Sequence, residues 1–519
     1  MTLQGTSIIG FGRGEIGGAT FTAFDPSTGE AVGPEFHSAS VAELEKACDL
    51  AAEARLAFGN LPGKDRAQFL RRIADNIEGL GDTLLERASL ETGLPTARFA
   101  GERGRTCFQL RMFADLIEQG DWVDARLDSP DPERQPVPKP DVRSMLRPIG
   151  AVAVFCASNF PLAYSVAGGD TASALAAGCP VIVNAHFAHP GTAELVGTAV
   201  SDAARECGLP EGVFSLIFST GYEIGQALVR NPNIKAVGFT GSRAGGRALM
   251  DIAAARPEPI AVYAEMSSVN PIFILPSAMR ETHASIAAGL HVSVTTGAGQ
   301  FCTKPGIVVI PEIAETIPFK AQFGHLIQQT APHPLLTSGI RNNYERLSAG
   351  RELEKIESSG EVCGYGVGPS VFETDAATFL SNESLADEIF GPTTLLVESS
   401  EREELLEIAR TMEGQLTASI HGTPEDLIEN ADLIAILETK VGRLIFNGYP
   451  TGVEVGPAIV HGGPYPATSD SRTSAVGTRA IERFCRYVCY QNFPNASLPE
   501  ELKDENPLGI TRMIDGVRK

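Results

Sequence analysis

The chain has 519 residues, more than one hydrophobic core usually supports, so we expect at least two domains. Its formal net charge is −22, and such an acidic surface repels phosphate backbones, which argues against nucleic acid as a partner. Nine cysteines with irregular spacing and no Cys-x-x-Cys pair favour a reducing compartment.

The N-terminus and the apolar runs predict a cytoplasmic protein. No basic region followed by an apolar stretch opens the chain, so we expect no secretory signal. The longest uncharged run, residues 148–169, contains Asn159, Pro161 and three glycines. It is typical of a buried strand and turn, not of a membrane span.

Helical patterns and a proline-rich segment fill the first 143 residues. Apolar residues recur at helical spacing over 41–58 and again over 64–91, with charges on the other face. Five prolines lie between Asp128 and Arg143, which excludes a helix there and predicts an extended arm or linker.

Strands and helices alternate after this arm. Apolar strand patterns cover 149–155, 179–183, 213–218 and 236–240, and helical patterns between them include one up to Ala177 and one over 192–207. Near-continuous apolar strands separated by helices predict a parallel sheet covered on both faces. A second alternating region spans 270–447, so the predicted fold class is α/β.

Two glycine clusters are candidates for binding a nucleotide. The run from Gly12 to Gly17 matches G-x-G-x-x-G, but a strand-like run follows it where a helix is required, so a hairpin turn is the better interpretation. Phe239-Thr-Gly-Ser-Arg-Ala-Gly-Gly246 follows a strand and opens a helix over 247–255. Free N–H groups at that helix start suit a phosphate, although a plain strand-to-helix turn stays open.

Three residues carry the parts needed for covalent catalysis on a carbonyl: a thiol, a base and an oxyanion donor. Cys302 lies between Gly299 and Pro305, which predicts a loop, whereas Cys107, Cys156 and Cys179 have apolar surroundings typical of a core. Glu265 is the one charge between Pro259 and Pro276, so we expect it to be buried; a surface carboxylate at a strand end is the alternative. Asn159 is either an oxyanion donor or part of an Asn-x-Pro turn.

Taken together, five motifs resemble the aldehyde dehydrogenase family: Asn159-Phe-Pro161, Phe239-Thr-Gly-Ser242, Glu265-Met-Ser-Ser-Val-Asn-Pro271, Gln300-Phe-Cys-Thr303 and Glu388-Ile-Phe-Gly-Pro392. The C-terminal segments Gly452–Val455, His461–Thr468 and Cys489–Pro494 resemble the branch of α-ketoglutaric semialdehyde (2,5-dioxovalerate) dehydrogenases, which also contains NADP-linked fatty-aldehyde dehydrogenases. This resemblance implies a Rossmann-type cofactor domain, an α/β catalytic domain and a small oligomerisation arm.

The resemblance also implies roles for single residues. Cys302 matches the nucleophile, Glu265 the general base and Asn159 the side-chain oxyanion donor. The implied cofactor residues are Asn184, His186, Phe239, Gly241, Ser242, Met266, Glu388 and Phe390; the implied substrate residues are Arg105, Phe160, Tyr164 and Phe301. No metal is expected.

The chain departs from the family pattern at the cofactor site. Asn184 stands where the family usually has a lysine, and Phe187 where a glutamate favours NAD. Losing the carboxylate removes repulsion against NADP, and losing the lysine removes attraction. We therefore expect use of both NAD and NADP with a lean to NADP, for which His186, His189 or Arg243 would supply positive charge.

The expected reaction is oxidation of α-ketoglutaric semialdehyde to α-ketoglutarate, in which Arg105 binds the distal carboxylate of the aldehyde. A solvated helix arginine is the alternative for that residue. Rival functions are a broad-specificity or long-chain aldehyde dehydrogenase and, from another class, a catalytically silent structural or binding relative.

The resemblance further implies a domain division and a homodimer or homotetramer. The cofactor-binding domain is expected to comprise 1–127, 144–264 and 460–484, the catalytic domain 265–459, and the oligomerisation segments 128–143 and 485–519.

Overall fold

The alternation of strands and helices in the sequence folds into three main sheets with helices packed around them. The computed structural model describes residues 2–519. The helices are α1 Val41–Gly59, α2 Gly63–Gly79, α3 Gly81–Thr92, α4 Thr96–Gln119, α5 Gly169–Ala177, α6 Pro190–Glu206, α7 Glu223–Arg230, α8 Arg243–Ala254, α9 Pro276–Thr295, α10 Thr316–Gln329, α11 Ser338–Ala349, α12 Ala376–Ser381, α13 Arg402–Thr411, α14 Pro424–Glu429 and α15 Ala431–Glu438.

The strands are short and mostly buried. They are β1 Ile8–Ile9, β2 Gly12–Arg13, β3 Thr20–Phe24, β4 Ala31–His37, β5 Arg126–Asp128, β6 Val142–Pro148, β7 Ala151–Phe155, β8 Val181–Asn184, β9 Phe214–Ile217, β10 Ile234–Thr240, β11 Ala261–Glu265, β12 Ile272–Ile274, β13 Ile307–Pro311, β14 His333–Pro334, β15 Glu354–Glu357, β16 Gly366–Val367, β17 Ser370–Asp375, β18 Thr393–Ser399, β19 Thr417–His421, β20 Arg443–Phe446, β21 Cys485–Gln491, β22 Met513–Ile514 and β23 Val517–Arg518.

The first sheet has the strand order β11-β10-β7-β8-β9-β1-β2, in which β7 to β11 run parallel. From β7 the chain moves outward through β8 and β9, and then returns to place β10 and β11 on the other side. The order therefore reverses between β7 and β10. In open parallel sheets, ligands bind outside the carboxyl ends of the strands at such a reversal.

Successive residues of the parallel strands enter opposite cores. On β8, Val181 and Val183 belong to the core that includes α5 and α6, whereas Ile182 joins the core that includes Leu44 of α1 and Leu228 of α7. Burying each such side chain contributes about 1.5–3 kcal/mol, which fixes the register of the sheet. The predicted parallel sheet with two covered faces is confirmed.

The second sheet has the order β15-β17-β18-β13-β12-β19-β20 and is parallel except for β15. The third has the order β21-β6-β5-β22-β23 and joins the C-terminal segment to the strands that flank the proline-rich arm. The α/β fold class is confirmed by these sheets and, as described below, by solved structures of the same fold.

Three local predictions have clear outcomes. The Gly12–Gly17 run opens no helix, as expected, but the predicted hairpin turn is displaced: the turn is Gly10–Phe11, and Gly12 and Arg13 form β2, which pairs antiparallel with β1. The helical pattern over 64–91 is confirmed but is divided between two helices, since α2 ends at Gly79 and Gly81, with a φ of +57°, opens α3. The predicted helix up to Ala177 begins only at Gly169.

Within residues 2–519, no helix combines the length and the apolar character that a membrane crossing requires.

Candidate active site

Cys302 lies on a loop between the 3-10 turn Thr296–Gly299 and β13, as its glycine and proline neighbours predict. Gly299 has a φ of +65°, and a Cβ there would lie 2.3 Å from the carbonyl oxygen of Gly391, so glycine is required. On the other side of the loop, Asn270 Nδ2 donates to the Cys302 carbonyl oxygen at 2.8 Å. The partly exposed thiol is therefore presented by a fixed backbone.

A carboxylate and an imidazole face this thiol. Glu265 ends β11, and His461 lies on the C-terminal segment that returns to the first sheet, where Thr468 pairs with Glu265. His461 Nε2 lies 2.9 Å from Glu265 Oε1 and 3.7 Å from Cys302 Sγ. Glu265 is 4% exposed, so its predicted burial is confirmed. The three side chains bring a proton acceptor and an N–H donor to one nucleophile.

His461 opens one of the C-terminal segments that carry the resemblance, but the sequence analysis assigned it no role in the site. It stands 159 residues from Cys302 and 196 from Glu265, and local periodicity carries no information about contacts at such separations. One signal was present in Gly462-Gly463: a Cβ on Gly463 would lie 2.1 Å from the carbonyl oxygen of Gln415. Paired glycines of this kind mark a close backbone approach, which here holds the imidazole in place.

Burial and charge set the protonation states of the pair. Burial raises the pKa of Glu265, but the charge and hydrogen bond of His461, the hydrogen bond of Cys302 and the charge of Arg483 together outweigh burial, and the net shift is downward. Burial raises the pKa of Cys302 well above its ordinary value, and the Glu265 carboxylate raises it further. At neutral pH the site therefore holds a carboxylate beside a protonated thiol. Such a pair can pass the thiol proton to the carboxylate as sulfur attacks an electrophilic carbon.

The loop that carries Asn159 is fixed by α4. Glu102 Oε1 accepts from the backbone N–H groups of Leu162 and Ala163 at 2.8 and 2.9 Å. Arg98 Nη2 donates to the Asn159 carbonyl oxygen at 2.7 Å. The Asn159 amide, 7% exposed, donates from Nδ2 to the Gln300 carbonyl oxygen at 2.9 Å and so reaches the cysteine loop.

Aromatic rings line the approach to the thiol. The ring centroids of Phe160 and Phe301 are 5.1 Å apart, and those of Phe160 and Tyr164 are 5.2 Å apart. Tyr164 in turn lies 6.1 Å from the His461 ring. The Arg98 guanidinium lies over both phenylalanines, at 4.8 Å from Phe160 and 5.1 Å from Phe301. The three aromatic residues expected at the substrate are therefore neighbours.

Arg105 of α4 contacts one of these aromatic residues. Its Nη2 donates to the Tyr164 hydroxyl at 3.3 Å, and its Nη1 donates to the carbonyl oxygen of Val453. The arginine is therefore not a solvated helix residue. A second arginine, Arg443 at the start of β20, donates from Nη2 to the carbonyl oxygens of Pro450 and Gly452 at 2.8 and 3.1 Å. No sequence pattern indicated Arg443.

The order reversal of the first sheet brings a glycine-rich strand-to-helix turn to the carboxyl end of β10. Phe239 and Gly241 lie at the carboxyl end of β10, and a Cβ on Gly241 would lie 2.7 Å from the Phe239 ring. Ser242 caps α8 by accepting from the Gly245 N–H at 3.2 Å, which leaves other N–H groups of the first turn for an anion. Met266 closes the floor, since a Cβ on Gly246 would lie 2.7 Å from its sulfur. A backbone this close-packed and glycine-dependent suits a pyrophosphate.

The three residues expected to favour NADP differ in charge. Burial lowers the pKa of His186 to about 3 and also lowers the pKa of His189, so both imidazoles are neutral at neutral pH. Arg243 is paired with Glu413 at 2.7 Å. Asn184 Oδ1 accepts from the Ser219 hydroxyl at 2.8 Å. Of the groups expected to attract a 2′-phosphate, the two imidazoles are therefore uncharged, and Arg243 keeps its charge in an exposed pair with Glu413.

Glu388 and Phe390 lie on either side of Ile389, close to the cysteine loop. The Lys304 ammonium, which is 2% exposed, donates to the carbonyl oxygens of Ile389 and Thr393 at 3.1 and 2.8 Å. Burial raises the pKa of Glu388 to about 7, although the positive charge of Lys304 opposes the shift. Burial lowers the pKa of Lys304 to about 8. A carboxyl group of this kind can accept hydrogen bonds from a ligand hydroxyl.

Several known proteins are similar to this chain in sequence or in fold. The sequence profile described as "Aldehyde dehydrogenase family" matches residues 15–472. Alpha-ketoglutaric semialdehyde dehydrogenase 2 of Azospirillum brasilense is 47% identical over 524 residues, which cover 99% of each chain. Alpha-ketoglutaric semialdehyde dehydrogenase of Acinetobacter baylyi is 42% identical over 528 residues, covering 99% of this chain and 98% of that one. A mutant aldehyde dehydrogenase C of Pseudomonas syringae, solved with NAD+ and octanal, has a TM-score of 0.80 at 22% identity, covering 95% of this chain and 98% of that one.

Proposed function

The chain belongs to the aldehyde dehydrogenase family, whose members oxidise aldehydes with NAD(P), and we propose that its substrate is α-ketoglutaric semialdehyde. The resemblance predicted from the motifs is thereby confirmed at the level of family and reaction. The main support for this substrate is that two relatives, 47% and 42% identical over the whole chain, are both named alpha-ketoglutaric semialdehyde dehydrogenases. The product is α-ketoglutarate.

The first step joins Cys302 to the aldehyde. Sγ adds to the aldehyde carbon, and its proton passes to Glu265, whose Oε2 is buried and has no hydrogen-bond partner in residues 2–519. The carbonyl oxygen becomes an alkoxide, which the Asn159 amide and the Cys302 N–H bind. One such donor is worth roughly 3 kcal/mol of transition-state stabilisation. His461 Nε2 lies 3.7 Å from Sγ but donates to Glu265 Oε1 at 2.9 Å, so it orients the base beside the thiol.

The second half-reaction releases the acid. Bound NAD(P) supplies the acceptor for the hydride that leaves the substrate carbon. Collapse of the alkoxide then leaves a thioester on Cys302, which the same Asn159 amide polarises. Glu265 first releases the thiol proton to solvent and then takes a proton from water as the oxygen of that water attacks the thioester carbon. The carbon–sulfur bond breaks, Cys302 leaves as a thiolate, and Glu265 returns its proton to the sulfur. His461 keeps the Glu265 carboxylate in place through the 2.9 Å hydrogen bond.

The cofactor is held, in this proposal, by the cleft of the first sheet and by the segment before β18. Phe239, Gly241, Ser242 and Met266 would contact the pyrophosphate and the adjoining ribose, Asn184 and His186 the adenosine, and Glu388 and Phe390 the nicotinamide ribose and ring. We propose that both NAD and NADP are used. Because the His186 and His189 imidazoles are neutral and Arg243 is shared with Glu413, we expect the lean to NADP to be small, with kcat/KM agreeing within tenfold for the two cofactors. A larger ratio for either cofactor would contradict dual use.

Substrate preference is tested with a panel of aldehydes at saturating cofactor. α-Ketoglutaric semialdehyde is expected to give the highest kcat/KM, above glutaraldehyde and a fatty aldehyde. A higher value for the fatty aldehyde would favour a long-chain enzyme instead. Absence of turnover with every aldehyde, and with Cys302→Ser indistinguishable from the wild type, would favour a catalytically silent relative.

The proposed role of Arg105 in binding the distal carboxylate is tested by substitution. Arg105→Ala is expected to raise KM for α-ketoglutaric semialdehyde more than for uncharged pentanal, because the carboxylate loses a cationic partner. Equal losses for both aldehydes would remove this assignment.

We also propose the domain division and the assembly that the sequence suggested. The first sheet supports a cofactor domain of 1–127, 144–264 and 460–484, and the second sheet a catalytic domain of 265–459. Segments 128–143 and 485–519 would form a homodimer or homotetramer, since β21 is a sheet edge with exposed Tyr487. Light scattering of the purified chain distinguishes these states from a monomer. All nine cysteines are free, which supports a cytoplasmic location.

A further inference from the structure

Arg105 and Arg443 come from distant parts of the chain and hold one loop. Arg105 of α4 donates to the carbonyl oxygen of Val453. Arg443 of β20 donates to the carbonyl oxygen of the preceding residue, Gly452, at 3.1 Å and to that of Pro450 at 2.8 Å. The two guanidinium groups therefore donate to the carbonyl oxygens of adjacent residues.

Neither guanidinium is neutralised by the protein. Within residues 2–519, no Asp or Glu oxygen lies within 4.0 Å of Arg105 or of Arg443. The buried Arg483, in comparison, is paired with Asp170. Glu454 lies on the same loop but is exposed, and its Oε1 accepts from the N–H of Val455. A partly buried cation without an opposing charge is unfavourable, so an anion that reaches these guanidinium groups would stabilise them.

Both arginines retain unused donors. A guanidinium has five N–H groups, and the Nε of each arginine is buried without a hydrogen-bond partner. Arg443 Nη1 also donates to no group in the described part of the chain. The unused donors fit an acceptor with several oxygens, such as a carboxylate.

The pair lies beside the reaction centre. Arg105 contacts Tyr164, whose ring packs 6.1 Å from that of His461, and His461 lies 3.7 Å from Cys302 Sγ. Burial lowers the pKa of Arg443, whereas negative charge on Cys302 or Tyr164 would raise it, which places Arg443 in the same electrostatic environment.

We propose that Arg443 is a specificity-determining residue, which together with Arg105 binds the carboxylate at the far end of an aldehyde held by Cys302. This inference rests on the proposed function and adds its substrate class: short aldehydes with a terminal carboxylate. A 2-keto acid suits the pair particularly well, because its keto oxygen and its carboxylate offer adjacent acceptors to two planar donors. Binding this anion also neutralises the two cations.

The test compares a charged and an uncharged aldehyde within each variant, so that general losses cancel. Wild type, Arg443→Met and Arg443→Lys are assayed with α-ketoglutaric semialdehyde, glutaric semialdehyde and pentanal. In Arg443→Met, the ratio of kcat/KM for either acid to that for pentanal is expected to fall about tenfold or more, mostly through KM. Arg443→Lys keeps the positive charge but lacks the planar guanidinium with its several N–H donors, so it should restore part of the lost preference for the acids.

A matched control separates anion binding from loss of a buried arginine. Arg256 also donates to two backbone carbonyl oxygens, those of Val229 and Ile234, but it belongs to the cluster of helices around the first sheet. Arg256→Met should leave the ratio unchanged even if it lowers stability. As a second readout, Arg443→Met should weaken competitive inhibition by glutarate about tenfold or more.

The outcomes are distinguishable. An unchanged ratio and unchanged glutarate inhibition in Arg443→Met would overturn the inference while leaving the proposed substrate intact. If the wild type prefers glutaric semialdehyde or pentanal to the keto acid, the proposed substrate is wrong. The inference about Arg443 would still hold in that case if Arg443→Met lowers the ratio of kcat/KM for glutaric semialdehyde to kcat/KM for pentanal. An equal fall of the ratio in Arg256→Met would also overturn it.

Discussion

Replacing Glu265 with Gln is expected to separate the two half-reactions. The amide keeps the size of the side chain and can still accept a hydrogen bond from His461 Nε2, now 2.9 Å from Glu265 Oε1. It cannot accept a proton, so the thioester on Cys302 loses the base that activates water. Removing the carboxylate charge also removes one cause of the raised pKa of Cys302, so more thiolate is present at a given pH and acylation persists.

The size of the effect follows from the surroundings. Loss of a general base typically costs 10²–10⁴-fold, and the only other base within 4.8 Å of both Glu265 and Cys302 in residues 2–519 is His461. If that imidazole partly replaces the carboxylate, the loss in steady-state kcat lies near the lower limit, about 10²-fold.

Stopped-flow absorbance at pH 9 should therefore show a burst close to one equivalent of reduced cofactor per active site, followed by the slow rate. Mass spectrometry of acid-quenched protein should find the acyl adduct on the Cys302 peptide. Glu258→Gln, which removes an exposed carboxylate paired with Lys235, is the control and should behave as wild type. A steady-state rate within tenfold of wild type, or a slow rate with neither burst nor adduct, would refute the assigned role of Glu265.

Three further predictions follow from the site. In the free enzyme, alkylation of Cys302 by iodoacetamide should accelerate with pH into the alkaline range, and in Glu265→Gln the midpoint should move to lower pH; an identical midpoint in both would contradict the electrostatic coupling. Arg98→Leu should lower kcat about 10²-fold, because Asn159 loses the 2.7 Å contact that positions it, while KM changes little; a pure KM effect would assign Arg98 to substrate binding. Gly246→Ala should raise Kd for NAD and for NADP by titration with little effect on glutarate binding, since a Cβ there meets a neighbour at 2.7 Å; unchanged Kd values would remove the proposed cleft.

The sequence predicted those features that depend on short-range pattern. Near-continuous apolar runs such as Val181–Asn184 specify buried parallel strands, because both faces of the sheet are covered. Glycine and proline around Cys302 specify a loop, and a lone charge in an apolar run specifies the burial of Glu265. In each case the physical cause lies within about ten residues of the chain.

The features that the sequence did not predict depend on contacts between distant segments. His461 and Arg443 look like ordinary polar residues until the second sheet and the C-terminal segment are placed beside the first. The charges near the cofactor residues show the same limit. A sequence does not show that desolvation lowers the pKa of His186, or that Arg243 pairs with Glu413.

The route of the chain through the site has a consequence for biosynthesis. The nucleophile leaves the ribosome well before the imidazole that faces it, which follows 159 residues later. Until that last segment docks, the nascent protein has a thiol without its assembled relay, so a prematurely terminated product ending before residue 461 would be catalytically incomplete even with both central sheets formed. Activity thus reports on completion of the polypeptide.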